Sequence, residues 1–286
     1  MENKEQPQQQ SQNQAEEITI NNKLDKETVY SISQAIKEQK DLQKLIIILE
    51  HSKICNEGVS SLGQAIENLE NLEYLNFYLG NNNISDSGAD QLGQSFQKQK
   101  NLKELIIDFR LTKVSDSGVN SLCQAVKEQK NLNIFEFFAV DNRLSDSSII
   151  SLSQVVKNLN SLTEFGFDLS NNNITDSGVD SLAQALEQQK NLTILSVDLS
   201  ECGLSDTSAN NISEAIKQMK DLTVLEVILN RNSISHHGAK SLGQALKEQK
   251  NIISSKIELS QNSIGDSGAI HLAQAIKDCY RVVKSY

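Results

Sequence analysis

The sequence predicts an α/β solenoid, a horseshoe with a parallel β-sheet on its concave face and helices on its convex face. Three observations predict it. One position recurs every thirty residues without insertion, at Gln34, Gln64, Gln94, Gln124, Gln154, Gln184, Glu214, Gln244 and Gln274. A fixed period in this range means stacked supersecondary units. Each unit, as in Asp168–Leu195 (DLSNNNITDSGVDSLAQALEQQKNLTIL), then contains one stretch of period two and one of period 3.6.

The period-two stretch is a strand with one buried face. Leu75, Phe77 and Leu79 alternate with Tyr74, Asn76 and Tyr78, and the buried columns stay apolar across copies, as in Leu45, Leu75, Leu105, Phe135, Phe165, Leu195 and Leu225. The following turn closes on an aliphatic residue such as Ile84, Val114 or Ile174, and Ser-Asp-Ser-Gly then opens a helix. Ser85 or Asp86 is placed to cap free N–H groups there, and the Asp suits the positive end of the helix dipole.

Along the helix, Val119, Leu122, Ala125 and Val126 share one face. Its end at Lys-Asn (Lys100-Asn101, Lys130-Asn131, Lys190-Asn191) puts a cation at the negative end of the dipole, and Asn is expected to take a left-handed conformation just beyond it. Successive strands reached through helical crossovers are parallel. Strands sit ~4.8 Å apart and packed helices ~8–10 Å apart, so the helical side is longer and the sheet lines the inside of the curve.

The pattern LxxLxFxLxxNxI in Leu72–Ile84, followed by SDSGADQLGQSF, resembles the ribonuclease-inhibitor-like class of leucine-rich repeat, and the uniform period resembles arrays in protist proteins. The column Asn82, Thr112, Asn142, Asn172, Cys202, Asn232 and Asn262 matches that class's Asn/Cys/Thr ladder, whose side chains bond the turn backbone. The resemblance spans about residues 16–281. It departs from the class by about two extra strand residues per unit. For function it implies protein binding.

Residues 1–15, MENKEQPQQQSQNQA, are polar and Gln-rich and read as a disordered tail. Residues 16–286 read as one repeat domain, a partial first unit and about eight repeats. No signal peptide or membrane-spanning stretch is evident, which makes a cytoplasmic protein the expectation. The net charge of −10, from 27 Lys plus Arg against 37 Asp plus Glu, disfavours nucleic acid and anionic membranes as partners. At the far end Ser255 breaks the first core column, Ile270 fills a slot that is usually polar, and no polar capping repeat follows, so that end is a candidate docking point.

Chemistry-bearing motifs are few. Cys55, Cys123, Cys202 and Cys279 share no metal-ligand spacing and read as reduced thiols. His236 and His237 are adjacent at a helix start, where two side chains do not face one site. Phosphate-loop, kinase and nucleophile-elbow signatures are missing from the sequence, so no catalytic residue, metal or cofactor is expected.

The outward strand positions carry Tyr74, Tyr78, Asp108, Glu136, Phe138, Asp168, Asp198, Glu226, Ile228 and Glu258, together with Ile48, Ile106 and Ile194. Carboxylates interleaved with aromatic and aliphatic residues suggest a groove for a protein partner that offers Lys or Arg among apolar side chains, anchored on Tyr74, Tyr78 and Phe138. Asp168 should lie beside Asp198, a mildly unfavourable pair. The oligomeric state is not readable. Two rival functions follow from the same residues. One is a GTPase-activating protein resembling the Ran activator, with Arg143 or Arg231 supplied from a strand-to-helix loop. The other is a structural subunit of a larger assembly, held by its C-terminal end.

Overall fold

The computed structural model describes residues 16–21 and 23–283; the Gln-rich segment 1–15 and Asn22, expected in the ladder column, lie outside them. Among the described residues, nine strands form one open sheet in sequence order, every neighbouring pair parallel. They are β1 (Glu16–Asn21), β2 (Leu42–Ile48), β3 (Tyr74–Tyr78), β4 (Glu104–Asp108), β5 (Ile134–Phe138), β6 (Glu164–Asp168), β7 (Ile194–Asp198), β8 (Val224–Ile228) and β9 (Ser254–Glu258). A helix follows each: α1 (Lys26–Lys37), α2 (Asn56–Ile66), α3 (Asp86–Phe96), α4 (Asp116–Val126), α5 (Asp146–Asn158), α6 (Asp176–Leu186), α7 (Asp206–Gln218), α8 (His236–Glu248) and α9 (Gly265–Val283). The thirty-residue period fixes the register, so Leu45, Leu75, Leu105, Phe135, Phe165, Leu195 and Leu225 are consecutive strand partners.

That column, the next one (Ile47, Phe77, Ile107, Phe137, Phe167, Val197, Val227) and the apolar helix stripe are all buried between sheet and helices. Removing this much apolar surface from water is the main drive for stacking the units. Aromatic rings continue the packing between units: Phe135 and Phe165 stack with centroids 6.1 Å apart.

Polar side chains lock the units together at four levels. The expected Asn ladder is present: Asn172 Oδ1 accepts from the backbone N–H of Asn142 (3.1 Å) and Leu144 (2.8 Å). Its Nδ2 donates to the carbonyls of Ala139 (2.8 Å) and Leu169 (2.9 Å). Thr112 is a shorter rung: its hydroxyl donates to Phe109 O in its own turn (2.8 Å) and accepts from Asn142 Nδ2 of the next unit (3.2 Å).

The second ladder corrects the reading of Ser-Asp-Ser-Gly. Ser115 and Ser145 do cap their own helices, but Ser85 makes no side-chain cap. The Asp, rather than serving only its own dipole, crosses to the next unit: Asp86 accepts from Ser115 N, Ser115 Oγ and Gly118 N. A Gly at this position lets the helix backbone come close to the carboxylate. A Cβ on Gly178 would lie 2.5 Å from Asp146 Oδ1. Where Ser148 replaces the Gly, its hydroxyl donates to Asp116 instead.

The Lys-Asn ends are the second correction. Asn101, Asn131 and Asn191 are not left-handed. Their amides donate to carbonyls one unit back, at Glu70, Lys100 and Asn160. Left-handed residues fall instead just after β2 to β9, at His51, Asn81, Leu111, Asp141, Asn171, Glu201, Arg231 and Gln261. A fourth ladder is buried: Gln99, Gln129, Gln189 and Gln249 donate to the last carbonyls of the preceding helix, as in Gln99 to Ile66 O (2.6 Å). The cations behave as expected, with Lys100 and Lys130 donating to carbonyls of their own helix ends.

At the far end the chain runs on as a helix through Val283, with Leu272, Ala275 and Cys279 buried against the stack. β9 is polar (SSKIE), a composition that blunts an exposed sheet edge.

Candidate functional site

Strand alternation places three rows on the inner sheet face. The register aligns Tyr74, Glu104, Ile134, Glu164 and Ile194 in one row, Asn76, Ile106, Glu136, Gly166, Ser196 and Glu226 in the next, and Tyr78, Asp108, Phe138, Asp168, Asp198 and Ile228 in the third. Lys256 and Glu258 extend the last two rows onto β9. All ten residues expected to bind a partner therefore share one surface.

Asp108 does not have the exposed side chain its row implied. It is fully buried, because Arg110, two residues on, folds back over it. The guanidinium meets the carboxylate at 2.5–3.0 Å through Nε and Nη2, and Asp108 also accepts the Arg110 backbone N–H at 2.9 Å. Arg110 further pairs with Glu50 (3.0 Å) and lies 5.9 Å from the centre of the Phe138 ring. Sequence reasoning missed Arg110. The available signal was its column, Glu50, Gly80, Arg110, Val140, Ser170, Ser200, Asn230 and Ser260, in which it is the single cation. It sits in a cleft of about 530 Å³ between the turns, lined also by Glu50, Leu111, Asp141, Asp168 and Asn171.

The inner-face apolar residues are less exposed than alternation alone suggested. Ile48, Tyr78, Phe138, Ile194 and Ile228 are half-buried and Ile106 is buried, because neighbouring side chains in a parallel sheet cover one another. Fully exposed apolar side chains concentrate elsewhere, at Ile253 and Ile270 (68% and 67% exposed) near the C-terminal end.

Electrostatically the face divides. Near β9, Lys256 pairs with Glu226 (2.8 Å) and Glu258 (3.3 Å), and Asn230 also donates to Glu258. Asp168 and Asp198, strand partners as expected, each accept one turn N–H, from Ser170 and Ser200 (both 2.9 Å). Burial pushes the Asp198 carboxyl above the usual range, and Asp168 and Glu258 push it further. Burial likewise raises Glu136, with Glu164 and Glu104 adding to it, and raises Glu164, with Glu104 adding. The Tyr78 hydroxyl is raised by burial and by Glu136, Glu104 and Asp108. The face is an acceptor-rich surface whose middle holds its charge reluctantly.

The remaining candidates are not drawn together. Arg143 and Arg231 lie in turns three repeats apart, roughly 14 Å along the sheet, and Arg231 is paired with Glu201 at 2.9 Å. The His236 and His237 ring centres lie 3.9 Å apart with the rings tilted by 37°. His236 stands where other units place the ladder Asp, and its would-be donor is Gly265, so both halves of that rung are lost together. All four cysteines are free thiols, and burial pushes Cys123 up to about 12 and Cys202 up to about 11. Among the described residues, no group of His, Cys, Asp and Glu could hold a metal ion, and no helix is long and apolar enough to cross a membrane.

A family model described as Leucine Rich repeat matches residues 167–183, which take in the end of β6, its turn and most of α6. A chain of the yeast Rad7–Elc1 complex is similar in structure, with a TM-score of 0.54 and 15% identity over 91% of this chain and 60% of that one. The fold is a leucine-rich-repeat solenoid. The C-terminal domain of Caenorhabditis elegans tropomodulin gives a TM-score of 0.39 at 14% identity, covering 68% of this chain and 95% of that one. The leiomodin-1 actin-binding site 2 structure gives 0.42 at 15%, covering 57% and 87%. Comparison with curated proteins returned no match. In leucine-rich-repeat terms, the matched segment holds Asp168, the Asn172 rung and the Asp176 ladder carboxylate.

Proposed function

We propose that this protein is a non-enzymatic interaction scaffold of the ribonuclease-inhibitor-like kind, holding a protein partner against its inner sheet face. The observation that carries this reading is the middle of that face. Across β3 to β7, half-buried Tyr74, Tyr78, Ile134, Phe138 and Ile194 alternate with carboxylates, of which Asp108 is paired with Arg110 while Glu104, Glu136, Glu164, Asp168 and Asp198 form no ion pair among the described residues. Aromatic anchors ringed by polar groups are what a binding hot spot requires. Rigid, pre-formed strands also keep the ordering cost of association low. The similar Rad7 chain was solved as a complex with Elc1. The net charge of −10 supports a partner that is neither nucleic acid nor an anionic membrane, and a cytoplasmic setting is part of the same proposal.

The test is affinity capture from an extract of the source cells with mass spectrometry, using wild type and Tyr78→Ala/Phe138→Ala. Circular dichroism checks that the variant is folded. Selective loss of a partner supports the inner face; equal capture by both proteins refutes it.

A second reading has its own observation, the exposed Ile253 and Ile270 near the C-terminal end. Exposed apolar side chains are available to a docking partner, and a structural subunit held by this end would use them. Mass measured against concentration tests it for self-association, and a strict monomer counts against it.

A further inference from the structure

The outer side of α9 and β9 repeats a surface that the other units keep covered. In α6, Val179, Ala183 and Leu186 are buried where α7 packs over them. The same columns in α9 are Ala269, Ala273 and Ile276, still apolar and exposed. Ile270 joins them. Its column points at the following unit, since Asn120 bonds Ser147 and Ser151 there and Asp180 bonds Asn211. Among the described residues no unit packs over α9, and this slot holds an exposed isoleucine instead of a polar group.

β9 carries the matching sheet edge. Ile257 stands in a column that is buried from β2 to β8, yet it is only half-buried itself. Leu229 N donates to Glu258 O (2.9 Å) and Ser254 N to Thr223 O (3.1 Å), so the even positions of β9 turn their backbone groups to β8. By the alternation of a ladder, Ile257 turns its N–H and C=O to the outer edge. That edge has no strand beside it among the described residues. Lys256 is held on the inner face beside it by Glu226 and Glu258 (2.8 and 3.3 Å).

We infer that this face binds the same face of a second copy of the chain, as a two-fold dimer in which β9 pairs antiparallel with β9 and α9 packs on α9. This rests on the second reading above, docking at the C-terminal end, and supplies its partner. Charge selects the register. Residues with outward backbone groups must stand opposite one another, which leaves few alignments. Ile257 opposite Ile257 sets Lys256 beside Glu258 of the second copy, twice over, as non-hydrogen-bonded neighbours whose side chains lie closest. The neighbouring alignments oppose Lys256 to Lys256 or Glu258 to Glu258, and like charges directly opposite are destabilising. A polar edge of this kind resists strands at large and admits one partner register. Across the axis the stripe Ala269, Ile270, Ala273 and Ile276 meets itself, and its two alanines let the helices come close.

Stacking the C-terminal end of one copy on the first unit of another fits worse. The Asp ladder would set Asp266 against Asp25, which stands in the column where Ser115, Ser145 and Ser205 donate to the preceding unit. A two-fold contact also closes on itself, whereas head-to-tail contacts run on into open filaments.

The test is sedimentation equilibrium of the full chain across micromolar concentrations. Wild type is expected to approach a dimer and go no further. Lys256→Glu alone and Glu258→Lys alone each set like charges opposite one another at both places, and each should raise the dissociation constant about tenfold. Mixing the two variants should restore the dimer, because the heterodimer pairs unlike charges again. Ile270→Asp should dissociate it as well, and circular dichroism checks that every variant is folded. A strict monomer, growth beyond a dimer, or single variants that mixing does not rescue would overturn the inference. If it is overturned while Ile270→Asp loses a captured partner other than this chain, docking at the C-terminal end survives and only the occupant is wrong. If capture is also unchanged, both fall.

Discussion

Asn172→Ala removes one complete rung of the Asn ladder, and its cost follows from the bonds counted at that side chain. Two backbone N–H groups, of Asn142 and Leu144, lose their acceptor, and three carbonyls, of Ala139, Leu169 and, at 3.2 Å, Ser170, lose a donor. Asn172 is 6% exposed, so water replaces few of these bonds. An unsatisfied buried group costs about 1–3 kcal/mol, and N–H groups suffer more than carbonyls with a second lone pair in use. The expected loss is ~3–5 kcal/mol. Asn262→Ala is the internal comparison, because Asn262 is only partly buried and its Oδ1 serves one N–H, that of Ile234; about half the loss is expected there. Urea unfolding followed by far-UV circular dichroism measures both. Units of a solenoid are coupled mainly to their neighbours, so the central variant should also broaden or split the transition between the fifth and sixth repeats. Equal losses in the two variants, or less than about 1 kcal/mol for Asn172→Ala, would refute the rung account.

Arg110→Ala should destabilise by only ~1 kcal/mol, because removing the half-exposed guanidinium breaks the pair and also uncovers the Asp108 carboxylate to water; chemical denaturation checks it. Leu111→Gly should stabilise by ~1 kcal/mol, since a leucine there is held at φ 53° with its side chain largely in water; thermal unfolding reads the sign. Stability should vary with pH in two opposed limbs. Asp116, Asp176 and Asp206 would be raised by burial alone, but bonds from the next unit's Ser residues outweigh it and hold them low. Their contribution is therefore present above the ordinary Asp value, ~3.9, and is lost as pH falls through their lower folded values. Glu136, Glu164 and Asp198 are raised, so the folded state binds the extra proton and stability rises as pH falls from neutral through their range. Glu136→Gln/Glu164→Gln should flatten that upper limb in pH-resolved urea titrations, and an unchanged profile would contradict it.

The one-dimensional pattern determined the architecture by itself. A strict thirty-residue period leaves a single way to stack strand on strand and helix on helix, and a period of two fixes which side chains face inward. That is why the inner rows and the pairing of Asp168 with Asp198 were readable before any coordinates. Links between units were only half legible. Asp86 and Asn101 were visible as recurring residues, but single-unit reasoning assigned them to their own helix, whereas the stack offers an acceptor or donor one unit away at the right height. The Gln99 ladder gave no local signal, because a glutamine at a helix end is ordinary until the preceding helix end lies beneath it. The site depended most on the tertiary structure. Alternation says which way a carboxylate points, not whether something covers it. Folding Arg110 onto Asp108, and leaving Glu104, Glu136 and Glu164 without a cation, are decided by side chains brought together across three or four strands, at separations no local pattern encodes.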